Sequence, residues 1–161
     1  MGVDISDRMV AEARRLNADH PGCRFVVNAT DDLSLFEEGS FDLIHTRLVL
    51  QHLPGVEVIG SYLREFVRVL RPGGLLAFQM PSSIARRNRL QPQRRLYSAL
   101  RRAGAPPEFL YRRLRLQPIR MTSMPVAEVR AVLASSGARV LDVETERGRR
   151  GNESSTYYAS R

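Results

Sequence analysis

Between residues 41 and 80 the spacing of apolar positions changes period twice. Residues 41–46, Phe-Asp-Leu-Ile-His-Thr, form a short, mostly apolar run bounded by Gly39 and Ser40, which is the pattern of a strand buried on both faces of a parallel sheet. From 56 to 70 the period becomes helical: Tyr62, Leu63, Phe66, Val67 and Leu70 share one stripe, while Arg64, Glu65 and Arg68 take the other side. Arg71-Pro72 must end that helix, because proline lacks the amide donor and biases the residue before it away from helix. Gly73 and Gly74 then free the chain to turn into a second apolar run at 75–80. Strand, crossover helix and strand in this order make a parallel unit.

The flanking pattern extends this alternation. Residues 2–6 read as the tail of a strand, with Ser6 as the N-cap of an amphipathic helix that carries Met9, Val10 and Ala13 and runs to about Ala18. A turn at 20–23 leads to a strand at 24–28, rich in β-formers, and then to the polar stretch 29–33. Near the other end, Pro125 opens a helix with Val126, Val129, Val132 and Leu133 as its stripe, and Gly137 closes it. Strands at 139–144 and 156–160 follow, separated by a polar hairpin loop at 147–155. Between 84 and 120 the sheet pattern lapses. Arginine pairs beginning at 86, 94, 101 and 112 interleave with Leu90, Leu96, Tyr97, Leu100, Phe109, Leu110, Tyr111, Leu114 and Leu116, and Gly104 with Pro106-Pro107 divides the segment into two helical pieces. No internal repeat or low-complexity stretch occurs.

Composition narrows the setting. A chain of 161 residues with 43% hydrophobic residues is one domain by size. No run is long or apolar enough to span a bilayer, and Met-Gly-Val-Asp-Ile-Ser at the start lacks both the basic and the apolar region of a signal, so the expected location is cytoplasmic with no membrane partner. The single Cys23 cannot form an internal disulfide and reads as a half-buried loop thiol. A net charge of +8 raises nucleic acid as a partner. That reading is discounted: the chain has no lysine, an arginine-only usage that fits the codon bias of a GC-rich genome. No metal site is expected.

The Phe-Asp strand at 41–46, Gln51-His52, and Leu-Arg-Pro-Gly-Gly at 70–74 followed by Leu-Leu-Ala-Phe-Gln-Met resemble, at this spacing, the class I S-adenosylmethionine-dependent methyltransferases. The resemblance extends over nearly the whole chain and implies a Rossmann-like α/β fold: a mostly parallel sheet with flanking helices and an antiparallel last strand. It implies one domain over 1–161, with 84–120 a helical cap over the substrate side, and methyl transfer from S-adenosyl-L-methionine to an oxygen or nitrogen of a small-molecule acceptor. Asp4 falls where the family's acidic residue binds the two ribose hydroxyls, a carboxylate offering two acceptors to a vicinal diol, with Ile5 and Met9 beside it. The competing reading of Asp4 is a helix cap. The loop after the next strand holds adenine in the family; Asn28, Ala29, Asp31 and Asp32 are its candidates here, and Asp31 and Asp32 could equally form a solvated turn. Thr46 and Arg47 end the central strand, where Thr46 would line the methionine arm of the cofactor. His52 is the candidate general base, set against a local packing role, while strand alternation makes His45 structural. Paired arginines under a lid would suit an acidic or phosphorylated acceptor, set against a solvated basic face on cap helices.

The family's Asp/Glu-x-Gly-x-Gly-x-Gly loop and the strand before it have no counterpart in this sequence. The expectation is an N-terminally truncated version of the fold with unpaired strand edges. The alternative function is therefore a non-catalytic, methyltransferase-like module, or a fragment acting through a homo-oligomer or a partner chain that completes the sheet.

Overall fold

The computed structural model describes residues 1–85, 92–116, 121–148 and 151–161. The Arg86-Arg87 pair, Leu90, residues 117–120 and part of the hairpin loop lie outside the described residues. Two sheets carry the fold. The first pairs β1 (Gly2–Asp4) with β2 (Phe25–Val27) in parallel, with α1 (Asp7–Leu16) as the crossover. The second has the order β3-β4-β6-β5, built from β3 (Phe41–Thr46), β4 (Leu70–Ser83), β5 (Arg139–Arg147) and β6 (Glu153–Ser160). β3 and β4 run parallel; β6 runs antiparallel to both β4 and β5. Among the described residues two pairings are parallel and two antiparallel, with the last strand antiparallel as the sequence implied.

α2 (Val56–Val69) crosses between β3 and β4 and buries Ile59, Leu63, Phe66, Val67 and Val69. These pack with Leu76, Phe78 and Met80 of β4, Tyr157 and Ala159 of β6, and Val129 and Leu133 of α5 (Val126–Ser135) to form the core. Phe78 stacks on Tyr157 with ring centroids 4.8 Å apart and planes 11° from parallel. Burial lifts the Tyr157 phenol above its usual range, and its hydroxyl has no hydrogen-bond partner among the described residues.

Several sequence expectations are corrected. β3 is not buried on both faces: Phe41, Ile44 and Thr46 are half-buried, whereas Leu43 is 57% exposed and His45 is exposed. One face of the larger sheet takes the helices, and Leu43, Leu75 and Leu141 on the strands remain open to solvent. The helix ends at Val69 and the strand begins at once, because Leu70 pairs with Phe41; Arg71-Pro72-Gly73 belong to the strand and not to a separate turn. Gly73 is still required, with φ of +78°. At Gly74 a Cβ would lie 2.8 Å from Leu70 Cδ1, so no larger residue fits without displacing a fully buried leucine. β5 and β6 are longer than the alternation suggested, reaching Arg147 and beginning at Glu153. Cys23 is exposed.

The segment between β4 and α5 contains α3 (Pro92–Arg102) and α4 (Pro107–Arg112). α3 buries none of its residues, and α4 inserts only Leu110. The described arginines of these two helices are exposed or half-buried. No helix among the described residues is long and apolar enough to cross a membrane.

Candidate functional site

The predicted site residues fall into two groups, both at the carboxyl ends of parallel strands, where open α/β sheets expose backbone and loops to ligands. The first group lies beyond β1 and β2. The Asn28 amide donates to the Asp4 carbonyl at 2.9 Å, which joins the two predicted regions directly. Asp4 Oδ1 accepts from the Ser6 amide at 2.8 Å, and Ser6 Oγ, as N-cap of α1, accepts from Met9 N at 3.3 Å. Asp4 does therefore help start the helix, but with one oxygen only. Its other oxygen has no hydrogen-bond partner among the described residues. Ile5 and Met9 beside it are 74% and 57% exposed, an apolar pair left in solvent at a polar loop.

The loop after β2 is built largely from its own side chains. Asn28, 7% exposed, donates from Nδ2 to the Asp32 carbonyl at 2.6 Å and accepts from Thr30 Oγ1 at 2.8 Å. Asp32 Oδ1 accepts from the Ser34 hydroxyl and from Thr30 Oγ1, each at 2.8 Å, and from the Ser34 amide at 3.2 Å. The hydroxyls of Ser34 and Thr30, in that order, hold the Asp32 carboxyl below its usual range. Asn28 is thus consumed in shaping the loop, whereas Asp32 spends one carboxylate oxygen on it and its Oδ2 has no hydrogen-bond partner among the described residues. Asp31 is exposed, and among the described residues its carboxylate makes no hydrogen bond.

Glu65 is held below the ordinary carboxylate range chiefly by the Arg68 guanidinium, against an opposing contribution from burial. A group whose folded pKa is depressed stabilises the fold above its unfolded pKa, and that stabilisation disappears as pH falls through the folded value. The melting-temperature difference between wild type and Glu65→Gln should therefore be constant near neutrality and shrink below about pH 4. A pH-independent difference would show that the carboxylate's charge contributes nothing.

The second group lines a cavity of about 270 Å³ formed by His45, Thr46, Arg47, Ala77, Phe78, Gln79, Glu146, Thr156 and Tyr158. Its residues come from β3, β4, β5 and β6 and the exit of β3. The register explains the convergence: His45 lies beside Ala77, Ala77 beside Tyr158, and Gln79 beside Thr156. Arg47 Nε donates to Gln79 Oε1 at 3.1 Å, which leaves both terminal guanidinium nitrogens without a partner among the described residues. Leu48 follows in the left-handed region at φ of +61°, a strained exit that turns the chain away directly after Arg47.

Thr46 and Arg47 therefore meet in this cavity, apart from the Asp4 and Asn28–Asp32 group. His52 stands on a 3₁₀ turn (Leu50–His52), outside the cavity lining, with Nε2 3.1 Å from Gln51 Nε2. His45 lines the cavity, and the face it occupies is the open one. Sequence reasoning missed Gln79, Glu146, Thr156 and Tyr158. The signal available for them was the alternation of polar residues along β4, β5 and β6, which becomes informative only once the register is known.

An α/β chain with crossover helices between its parallel strands and an antiparallel strand beside them has the class I methyltransferase architecture. Residues 1–78 match the methyltransferase domain family. A trans-aconitate 2-methyltransferase of Methylobacterium nodulans is 35% identical over 140 residues, 87% of this chain and 48% of that protein. The structure of an S-adenosylmethionine-dependent methyltransferase from Methanosarcina mazei superposes with a TM-score of 0.65 at 18% identity, covering 99% of this chain and 80% of that one. A chain in the complex of the Haloferax volcanii Trm112 methyltransferase activator gives 0.64 at 18% identity, covering 99% and 69%. This chain spans about half the length, or less, of the curated relatives it matches. The chain is similar to the class I S-adenosylmethionine-dependent methyltransferases, and S-adenosyl-L-methionine is the methyl donor of that family.

Proposed function

We propose that the chain takes part in methyl transfer from S-adenosyl-L-methionine to an oxygen or nitrogen of a small, carboxylate-bearing acceptor. The observation that carries this reading is the half-used Asp4 carboxylate, flanked by the exposed side chains of Ile5 and Met9, on a residue whose main-chain carbonyl accepts from the main-chain amide of Asn28. Asp4 would hold the ribose diol through its unpartnered oxygen, Ile5 and Met9 would cover the adenine faces, and Asp31 would accept from the exocyclic amine. When bound, the cofactor supplies an electrophilic methyl group on a sulfonium centre. The chain's own residues then have to place the acceptor and exclude water, which can lower a barrier substantially without a dedicated acid or base.

The cavity beside Arg47 suits the acceptor. Two free guanidinium nitrogens offer a fork to a carboxylate, and the named substrate of the Methylobacterium relative, trans-aconitate, carries such groups. Tyr158 and Thr156 supply hydroxyls, Glu146 an acceptor, and His45 is the imidazole placed to receive a proton in place of His52. On this reading residues 84–120 form part of the acceptor side.

A second reading is favoured by the sheets themselves. Among the described residues β1 pairs only with β2, and β3 only with β4, so each offers an unpaired edge to a partner strand. In that case the chain is a methyltransferase-like module completed by a second copy or by another polypeptide. One experiment separates the two: calorimetric titration of the purified 161-residue chain with S-adenosylhomocysteine, with sedimentation of the same sample at several concentrations. Saturable heat from a monomer supports the first reading. Concentration-dependent association of a folded sample that releases no heat supports the second and sinks the first.

A further inference from the structure

Three side chains of α2 at a spacing of three, Tyr62, Glu65 and Arg68, reach the same short segment, the loop after β2. The Tyr62 hydroxyl donates to the Thr30 carbonyl at 3.0 Å. Glu65 Oε2 accepts from the Leu33 amide at 2.9 Å. Arg68 is bidentate on Glu65, with Nε and Nη2 each at 2.8 Å, and it also donates to the Leu33 carbonyl through Nη2 and to the Phe36 carbonyl through Nη1, both at 3.0 Å. Both main-chain polar groups of Leu33 are therefore held by one ion pair, while its side chain, 7% exposed, is sunk in the core.

This is more than an ordinary surface pair on a helix. Most exposed i,i+3 pairs contribute little, because two long side chains must be ordered to make one contact. Here Glu65 and Arg68 retain 19% and 33% side-chain exposure, and the guanidinium fork spends its remaining donors on carbonyls thirty-two and thirty-five residues away in sequence. The loop is pinned at Thr30 and again at Leu33. The two residues between those pins are Asp31 and Asp32, of which Asp32 is tied to its loop neighbours Thr30 and Ser34 through Oδ1, and Asp31 is exposed without a hydrogen-bond partner among the described residues.

We propose that the row Tyr62, Glu65 and Arg68 is a positioning device: it fixes the stretch from Thr30 to Leu33 so that the Asp31 carboxylate faces the base of the bound cofactor, and it thereby sets the selectivity for adenine. The inference rests on the cofactor reading above and extends it to residues that touch no ligand. None of the three is a catalytic residue. Their effect passes through the backbone that carries Asp31.

The test compares S-adenosylhomocysteine with S-inosylhomocysteine, in which an oxo group replaces the exocyclic amine. A carboxylate that accepts from that amine discriminates against the oxo analogue, because the site's acceptor then faces another acceptor. Arg68→Lys keeps the charge but cannot supply a planar fork to Glu65 and two carbonyls at once. Tyr62→Phe removes one hydroxyl and nothing else. Both variants are expected to lose about tenfold in affinity for S-adenosylhomocysteine, and about as much in the ratio of the two affinities, while binding of the inosine analogue changes little. Asp31→Ala should abolish the discrimination, and adding Arg68→Lys to it should cause no further loss, since residues acting through one another are non-additive.

Amide hydrogen exchange of the ligand-free chain supplies a second reading: Leu33, whose amide is held by Glu65, should lose protection in Arg68→Lys while Phe78 in β4 keeps it. Folded variants that retain the wild-type affinity ratio overturn the proposal, and so does unchanged protection at Leu33 in Arg68→Lys. A wild-type chain that binds neither ligand overturns the cofactor reading, and the adenine role of the row with it. A wild type that binds both equally overturns the role of Asp31 while leaving cofactor binding in place.

Discussion

Asp4→Ala is expected to weaken the binding of S-adenosylhomocysteine by roughly ten- to a hundredfold. A hydrogen bond to a charged group contributes about 1.5–3 kcal/mol, and about 1.4 kcal/mol corresponds to a tenfold change in Kd. Alanine also removes the acceptor for the Ser6 amide, which would loosen the start of α1 and could lower affinity by a different route. Asp4→Asn separates the two. Asparagine keeps an oxygen for Ser6 but gives up the charge and replaces the second acceptor by a donor, so it should restore the thermal stability of the wild type without restoring its affinity. Calorimetric titration of the three proteins decides the matter. Equal affinity in all of them would leave Asp4 as a helix cap and nothing more.

The second large effect concerns the fold. Phe78→Ala should destabilise the protein by about 3–5 kcal/mol, a substantial part of the about 5–15 kcal/mol that holds a typical domain together. Phe78 is 1% exposed, sits on β4 between Thr46 of β3 and Tyr157 of β6, and stacks on the Tyr157 ring. Removing it leaves a cavity against a neighbour whose own hydroxyl is already unpartnered among the described residues, so collapse around the void has little to gain. Urea unfolding should show the loss as a lower midpoint with an unchanged slope. A loss below about 1 kcal/mol would mean that β4 and β6 do not share a core at this position.

The β3-α2-β4 unit was legible because each of its signals is local: an apolar run, a stripe of period 3.6, and a proline that forbids helix. The same local reading failed where the answer depended on what covers a face. Phe-Asp-Leu-Ile looks like a strand buried on both sides, yet Leu43 is open, since a run of apolar residues says nothing about which of its faces finds a partner. It also ended the helix at proline when the end came earlier, because pairing of Leu70 with Phe41 competes with the last helical turn and wins.

The candidate site divides in the same way. Asp4 and the loop from Asn28 were legible because the order of strand, cap and helix places them at strand ends. The cavity residues Gln79, Glu146, Thr156 and Tyr158 were not, since their meeting depends on antiparallel register across β4, β6 and β5. Glu65 and Arg68 were assigned to the polar side of α2, which is correct as far as helical periodicity goes. Periodicity cannot distinguish a charged face left to solvent from one whose charges are spent on the backbone of a distant loop.

The placement of β6 between β4 and β5 bears on how the protein is made. Met80 of β4 leaves the ribosome about seventy-five residues before Ser155, its partner in β6. At about 5–20 residues per second, β4 waits for several seconds with one edge bare. During that interval the nascent chain is most exposed to chaperones, and to pairing with a neighbouring nascent chain on the same message. The hairpin of β5 and β6, whose contacts are local, should form first and then dock as a unit. Slowing translation between α5 and β6 would lengthen that interval without changing a single residue of the finished protein.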